Sequence, residues 1–224
     1  MKLNMKKIGL IIFTVVISII LALIDLKILP ILILTLFSWL IFYYHNFKIR
    51  NSVIIWLIIV FAALSRMIFV FVPEFNPVIV ITIICGVIFK KNAGILCGAM
   101  SILLSSLLYL DEYLIFFQML SLALSGYFAG ILHEKLAMNK YYIYGYSVVC
   151  SIGYWLIINV GSCLKSAKFI NISQYLENLS TSISLLLTSI LASLIFMFCL
   201  RRVMFQILNR VKNKYGIMEN ENEY

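Results

Sequence analysis

The stretch that divides this chain is Arg66-Met67-Ile68-Phe69-Val70-Phe71-Val72-Pro73-Glu74-Phe75-Asn76-Pro77, which places two charges and two prolines among apolar runs. Proline lacks a backbone donor and disfavours helix at the residue before it, so the two prolines predict a break between helices. The runs on either side are continuous rather than alternating, which is typical of membrane helices and not of a barrel. The stretch therefore predicts two membrane helices joined by a short polar loop.

Composition predicts that the solvent for most of the chain is lipid. Hydrophobic residues make up 63% of the 224 residues, charged residues make up 12%, and the mean hydropathy is +1.06. These values leave too few polar side chains to cover a water-soluble globule. We expect an all-α integral membrane protein with about eight helices, some short. The candidate helices are 8–24, 28–45, 53–72, 78–89, 93–110, 114–133, 141–163 and 179–207.

The fourth candidate helix, 78–89, is too short for a full span. At about 1.5 Å per residue it covers about 18 Å, against a bilayer core of about 30 Å. It is either a short helix whose end is marked by Lys90 and Lys91, or half of a re-entrant hairpin with 93–110. The first run, 8–24, follows lysines as in a signal peptide, but no small-residue cleavage site follows it, so we expect a retained helix.

The distribution of positive charge predicts the orientation. Lys and Arg accumulate in short cytoplasmic loops, and an eight-helix topology with both termini inside puts fourteen of the 18 there. Only Lys27, Lys165 and Lys168 fall outside. We therefore expect a multi-pass protein of the cell membrane with both termini cytoplasmic. The net charge of +9 then reflects this bias and anionic lipid, and calls for no nucleic acid.

Two polar segments are interpreted from composition alone. The segment 164–178, predicted outside, is either a lid over an outward-facing pocket or a solvated connector. The tail from Asn209 to Tyr224 is charged, and we expect its helix to fray.

Nothing in the sequence predicts catalysis. The five cysteines show no CxxC pairing, and His133-Glu134 lacks the second histidine of a helical zinc motif. No Ser-His-Asp arrangement or phosphate-binding glycine loop is recognisable, so we predict no enzyme, no metal and no cofactor.

One ionisable residue within a helix is a candidate ligand-binding residue. Arg66 lies about seven residues before Pro73, which places it roughly 10 Å below the predicted outer end of its helix. A cation at that depth is costly unless it is paired or solvated. Arg66 either reaches outward to water or a carbonyl, or faces a watery cavity that binds an anionic or polar ligand. Glu74 is either its partner or a solvated loop acid.

Two pairs of glycines predict close helix packing. Gly94 and Gly98 are one turn apart, as are Gly126 and Gly130. A small residue every four positions lets helix backbones approach closely in lipid.

The stretch 66–77, then Gly86, the lysine pair and Gly94 to Ser101, resembles the substrate-binding S component of energy-coupling factor (ECF) vitamin transporters, closest to the cobalamin-type branch. The likeness continues through Gln118-Met119 and Gly126 to Gly130, and covers roughly 53–216. It implies a six-helix core with an appended hairpin, divided as 1–50 for the hairpin, 51–210 for the core and 211–224 for a cytoplasmic tail.

The resemblance implies a subunit that captures a vitamin or related micronutrient from outside. Its expected partners are a transmembrane coupling subunit and two cytoplasmic ATPases, which supply the transport power. Relatives usually carry a lysine where this chain has Asn76, and they have a turn rich in Gly, Pro and Trp before the Gln-Met pair, where this chain reads 110–117. The ligand therefore stays open between cobalamin, a related corrinoid and another micronutrient.

We predict as pocket residues those that combine a position in the outer half of the membrane with a polar or aromatic side chain. They are Arg66, Phe69, Pro73, Glu74, Asn76, Gln118, Trp155 and Asn159. In relatives, small residues on the first core helix form the docking face for the coupling subunit, which in this chain corresponds to Ala62, Ala63 and Ser65.

Two other classes of membrane protein are alternatives to a carrier subunit. The alternative is an integral-membrane enzyme or assembly factor, for which a polar cluster facing the membrane interior is expected, whereas a carrier subunit is expected to have an outward cavity near Arg66 and Gln118. A secondary transporter is disfavoured because it needs ionisable pairs at mid-membrane, and only Arg66 is available at that depth.

Overall fold

The structure is a computed structural model that describes residues 49–106, 112–166 and 172–215. The chain divides into two units, 1–48 and 49–224, and all the described residues belong to the second. They form seven helices and no strand, as the all-α prediction requires. The helices are α1 (Ile49–Ile68), α2 (Val78–Ser106), α3 (Glu112–Ile131), α4 (His133–Met138), α5 (Lys140–Ser166), α6 (Ile172–Thr181) and α7 (Ile183–Tyr215). The predicted helices 8–24 and 28–45 lie outside the described residues.

Helix α2 folds back on itself at Lys90. The backbone of Lys90 has φ 64° and ψ −175°, which is outside the helical region. In a straight helix Gly86 and Gly94 would be about 12 Å apart along the axis. Instead, a Cβ placed on Gly94 would lie 2.8 Å from the Gly86 Cα, and the Cys85 Sγ lies 3.7 Å from the Ala93 carbonyl oxygen. The two arms of α2, 78–89 and 91–106, therefore form a helical hairpin. That this hairpin is re-entrant in a membrane stays a prediction.

The hairpin packs against α3 through glycines, as the sequence predicted. A methyl group on Gly94 would overlap the Gly126 carbonyl, and one on Gly98 would overlap the Leu122 carbonyl. The reverse also holds, because a methyl on Gly126 would meet the Gly94 carbonyl. Backbone contacts backbone here, and α2 and α3 share the most extensive interface between the described helices. The hairpin is almost wholly buried, which explains its lack of a polar face.

Four of the described helices are long and apolar enough to cross a membrane. They are Val78–Ser106, Leu114–Ile131, Lys140–Leu164 and Ile183–Lys214. The first of these is the folded hairpin, so its length does not imply one straight span. Helix α1, predicted as a full span over 53–72, ends at Ile68 and contributes only the shorter apolar segment Val53–Ile68. Length and composition together indicate a membrane protein.

The structure describes part of both polar segments. Most of the predicted 164–178 connector is helical, since α6 occupies Ile172–Thr181 and the Tyr175 hydroxyl donates to the Leu156 carbonyl over 3.4 Å. Helix α6 has no buried residue. The tail was predicted to fray from Asn209, which is wrong as far as Tyr215, because α7 continues to that residue. Within this last segment the Lys212 Nζ donates to the Ile88 carbonyl over 3.0 Å, and this contact holds the helix end against the hairpin turn.

Candidate functional site

The loop 69–77 begins earlier than the sequence predicted. Helix α1 ends at Ile68, so Arg66 lies in its last turn rather than two turns inside it. The residues after Ile68 form successive turns, with the Val72 amide donating to the Phe69 carbonyl over 3.1 Å. Because Pro73 disfavours helix in the residue before it, the chain leaves the helix before the proline. A cation in the last turn also interacts favourably with the negative end of the helix dipole.

Arg66 joins three helices. Its Nη1 donates to the Ser105 hydroxyl of α2 over 3.0 Å, and its Nη2 donates to the Gln118 Oε1 of α3 over 2.8 Å. Both are charge-assisted hydrogen bonds, which are stronger than neutral ones. The side chain is half-buried and thus does not simply reach for bulk water. Arg66 and Gln118, chosen from the sequence for their depth, are therefore in direct contact.

Glu74 occupies an unusual backbone conformation. It has φ 60°, and the Phe75 amide donates to the Val72 carbonyl over 3.1 Å across the Pro73-Glu74 pair. This arrangement matches a type II turn, whose third position normally holds glycine or asparagine. A left-handed residue with a side chain costs roughly 1–2 kcal/mol. Such conformations cluster at functional sites, so the glutamate is a candidate for a role in the loop.

The Glu74 carboxylate faces Arg66 and Tyr154. Burial raises the pKa of the Glu74 carboxyl above its ordinary value, while the Arg66 cation and the hydrogen bond from the Tyr154 hydroxyl oppose that rise. Desolvation disfavours the charged form, whereas a nearby cation and a donor favour it. Arg66 acts on Glu74 electrostatically, and its own hydrogen bonds go to Ser105 and Gln118. The loop acid and the helix cation thus face a common space.

Asn76 has a structural role that the sequence reading missed. Its Oδ1 accepts from the Val78 amide over 3.3 Å, and Pro77 lies between Asn76 and the first residue of α2. Asparagine before proline at a helix start is a favourable N-cap arrangement, and the capping signal was present in the sequence. The Asn76 side chain therefore holds the loop to the start of α2 as well as facing the cavity described below.

Three phenylalanines hold the loop against α7. Phe69 and Phe75 have ring centroids 5.8 Å apart, and each also contacts Phe196, at 5.0 Å and 5.3 Å respectively. Edge-to-face aromatic pairs of this kind contribute about 0.5–1.5 kcal/mol each beyond area burial. The loop is thus held by side-chain packing on one side and by the Asn76 cap on the other.

A cavity of about 320 Å³ lies between this loop, α1 and α3. Four polar side chains and five apolar residues line it: Arg66, Glu74, Asn76, Gln118, Phe69, Val70, Val72, Pro73 and Leu114. Six of the eight residues predicted from the sequence are in this group. Its volume is near the lower end of the range for small-molecule pockets. The arrangement offers a cation, an acid and two amides within one small space, and ligand binding there stays a prediction.

Trp155 and Asn159 do not line this cavity. The Trp155 Nε1 donates to the Ser182 hydroxyl over 2.9 Å, and the Ser182 hydroxyl donates to the Asn159 Oδ1 over 3.1 Å. These contacts join α5 to the start of α7 and satisfy the polar groups within the protein. Their predicted depth gave no information about which side of α5 they occupy. Ser105 and Tyr154 were not selected from the sequence, and a serine or a tyrosine in an apolar helix gives no distinctive signal.

The small residues predicted to dock a coupling subunit are buried inside the chain. Ala62 and Ala63 are at most 1% exposed and Ser65 is 7% exposed. The Ser65 hydroxyl donates to the Ala62 carbonyl over 2.7 Å. They therefore contribute to the packing of α1 in this structure, and docking of a coupling subunit on them stays a prediction. The large exposed side chains of α1 include Leu57, Phe61, Leu64 and Ile68.

A larger cavity of about 710 Å³ lies between α1 and α7, but its chemistry differs. It is lined by apolar residues: Val53, Ile54, Leu57, Ile58, Phe61, Leu200, Val203, Met204, Ile207, Leu208 and Val211. An apolar cleft between helices is expected where lipid is the solvent, because lipid tails are as apolar as the side chains. It holds no polar group that could orient a ligand, so the smaller cavity is the stronger candidate site.

No metal centre is formed by the described residues, which contain no cluster of His, Cys, Asp and Glu side chains suited to an ion. The His133 Nδ1 lies 3.0 Å from the Gly130 carbonyl oxygen. The five cysteines are free, and four of them are buried.

The fold and composition define an all-helical membrane protein with a small polar cavity at one helix end. Comparison with protein families places the chain in DUF6580, described as a family of unknown function, which matches residues 45–217. The chain belongs to this family. Comparisons with curated proteins and with solved structures gave no significant match.

Proposed function

We propose that this chain is the substrate-binding subunit of an ECF-type importer of the cell membrane. It captures a vitamin-like micronutrient from outside and passes it through a coupling subunit driven by two cytoplasmic ATPases. The observation that carries the proposal is the cavity where Arg66, Gln118 and the loop 69–77 meet. An outward-opening cavity near Arg66 and Gln118 is the feature that we expected of a carrier subunit, and the position of this cavity at those two residues supports the proposal.

The helical arrangement also supports this proposal. The described part of the chain has six longer helical segments: α1, the two arms of α2, α3, α5 and α7. This number agrees with the six-helix core implied by the resemblance. Both termini are then cytoplasmic, with the loop 69–77 and helix α6 on the outer side.

The size of the cavity bears on the ligand. A corrin ring with its side chains is far too large to be enclosed in about 320 Å³. The cavity therefore favours a smaller micronutrient over cobalamin or a related corrinoid. Four polar side chains in so small a space also favour a ligand with several hydrogen-bonding groups.

The test of this function is reconstitution. The chain purified from cells grown in rich medium is analysed by mass spectrometry for a co-purifying small molecule. That molecule is then offered to proteoliposomes that contain the chain alone or with an ECF coupling module and ATP. We expect uptake only with the module and ATP. Uptake by the chain alone, driven by an ion gradient, would show a self-sufficient transporter and overturn the proposal.

A further inference from the structure

The cavity contains two opposite charges, those of Arg66 and Glu74, and the described hydrogen bonds of Arg66 go to other residues. A guanidinium has five N–H donors, and the described hydrogen bonds of Arg66 to Ser105 and Gln118 use two of them. These two bonds fix the plane of the guanidinium and leave donors for a ligand. Because the partners come from two different helices, the position of Arg66 depends on the assembled bundle. Arg66 is therefore a preorganised site for an anionic group.

Glu74 presents the complementary group. Its carboxyl group faces Arg66 and Tyr154, and an ionised carboxylate has about four acceptor positions. Its positive φ and the packing of the adjacent Phe75 on Phe196 hold the turn in one conformation. The carboxylate can thus accept from a ligand without losing its contact to the protein. It is a preorganised site for a cationic or donor group.

This pair of charges discriminates between ligand classes. A purely anionic ligand gains from Arg66 but meets the negative charge of Glu74, and a purely cationic ligand meets the reverse problem. Like-charge juxtaposition opposes binding and is one of the ways a site rejects the wrong partner. A ligand that carries both charges satisfies both residues. Phe69, Val70 and Leu114 supply an apolar wall for its remaining part.

We propose, building on the carrier function above, that the substrate is a small organic zwitterion whose carboxylate binds Arg66 and whose ammonium group binds Glu74. The amide side chains of Gln118 and Asn76 border the same space and select for further polar groups on the ligand. The cavity volume of about 320 Å³ suits a ligand of the size of an amino acid or a small heterocycle.

The experiment compares three probes of one size with different charge. Phenylalanine carries both charges, N-acetylphenylalanine only the carboxylate, and phenylalanine amide only the ammonium group. Each is titrated by calorimetry into the full-length chain in lipid nanodiscs. We expect phenylalanine to bind at least about tenfold more tightly than either single-charge probe, which corresponds to about 1.4 kcal/mol. Equal affinities, or no binding of any probe at about 1 mM, would contradict the proposal.

Variants assign the two charges to their residues. Glu74→Gln should reduce the affinity for phenylalanine to that for N-acetylphenylalanine, and leave the N-acetylphenylalanine affinity unchanged or improved. Arg66→Gln should remove binding of N-acetylphenylalanine. If Glu74→Gln does not fold, Glu74→Asn provides a second variant, because asparagine tolerates a positive φ. Trp155→Phe, outside the cavity, is the control and should retain all three affinities.

If both Glu74 variants still bind phenylalanine more tightly than the two single-charge probes, as expected of the wild type, the assignment of the ammonium group to Glu74 would be overturned. The result of the probe experiment is independent of the test of the carrier function. Coupled uptake of the co-purifying molecule tests the carrier function whatever that molecule's charge. A chain that imports an uncharged molecule with the coupling module and shows no preference among the probes would refute only the zwitterion assignment.

Discussion

Arg66 and Gln118 lie 52 positions apart in the sequence and are joined by a hydrogen bond of 2.8 Å between Nη2 and Oε1. The bond ties the last turn of α1 to α3, and the neighbouring bond to Ser105 adds the second arm of α2. A half-buried guanidinium at the junction of three helices contributes to the assembly of the bundle as well as to the cavity. Its removal should therefore affect stability even without a ligand.

The first prediction concerns this bond. Arg66→Met and Gln118→Leu should each destabilise the protein by about 1.5–3 kcal/mol, because a charged partner is lost in a partly buried setting. In a double-mutant cycle the two changes should show a coupling of about 1–3 kcal/mol. The measurement is equilibrium unfolding in mixed detergent micelles. Cys199→Ala, at an exposed position, is the control and should leave stability within about 0.5 kcal/mol. Additive single effects would show that the bond is energetically unimportant.

The second prediction tests the glycine interface. Gly126→Ala should destabilise the protein by at least about 1–3 kcal/mol, because the added methyl overlaps the backbone of Gly94, which cannot rotate away. Gly153→Ala on α5 is the matched control, since its added methyl has no atom within 4 Å. The control should be neutral or more stable by up to about 1 kcal/mol through helix propensity. Similar unfolding curves for the two variants would contradict the tight packing of α2 on α3.

The third prediction is a pH dependence. Burial raises the pKa of Glu74 in the folded protein above its ordinary value of 4.5, although Arg66 and Tyr154 oppose the shift. The folded state then holds this proton more tightly than the unfolded state. The resulting stability is fully present below the unfolded pKa and is lost as pH rises through the folded pKa. Relative to Glu74→Gln, the wild type should therefore lose thermal stability as pH rises from about 4 to 7.

The control for this measurement is Glu177→Gln, which changes an exposed carboxylate on α6. The effect attributed to Glu74 is the pH dependence that exceeds that of this control. A wild type that gains stability over Glu74→Gln as pH rises would mean that the attraction to Arg66 exceeds the cost of burial.

The fourth prediction concerns orientation. In a background lacking Cys199, the exposed position Glu177 on α6 and the exposed position Lys214 near the end of α7 are each changed to cysteine. A membrane-impermeant thiol reagent applied to intact cells should label Glu177→Cys and not Lys214→Cys. Permeabilised cells should show labelling at both positions. The opposite pattern would invert the topology inferred from the distribution of Lys and Arg.

The positions of the helices were predictable where the length of an apolar run sets them. The hairpin over 78–106 and the helix over 140–166 were placed to within a few residues, and the glycine pairs Gly94/Gly98 and Gly126/Gly130 predicted close helix packing. The end of α1 was placed too late, because the turns after Ile68 are stabilised by Phe69 and Phe75 packing on the distant Phe196. Such long-range packing leaves no mark in the local sequence.

The candidate site was predictable in its contiguous part. Arg66, Phe69, Pro73, Glu74 and Asn76 are close in the chain, so a short loop necessarily brings them together. Trp155 and Asn159 were placed by depth along α5, but depth does not give rotation about the helix axis. That rotation follows from hydrogen bonding to Ser182, a residue with nothing distinctive around it. Tyr154, one position away, faces Glu74 instead.

The contact between Lys212 and Ile88 has a consequence for biosynthesis. The ribosome completes the hairpin turn long before it reaches Lys212, which is translated 124 residues after Ile88. While α3 to α6 are being synthesised, the Ile88 carbonyl of the hairpin is therefore not yet bonded to the lysine. The bond closes only after most of α7 has also been made. A chain truncated just before Lys212 keeps the described helices up to α6 but lacks the bond that joins the end of α7 to the hairpin turn.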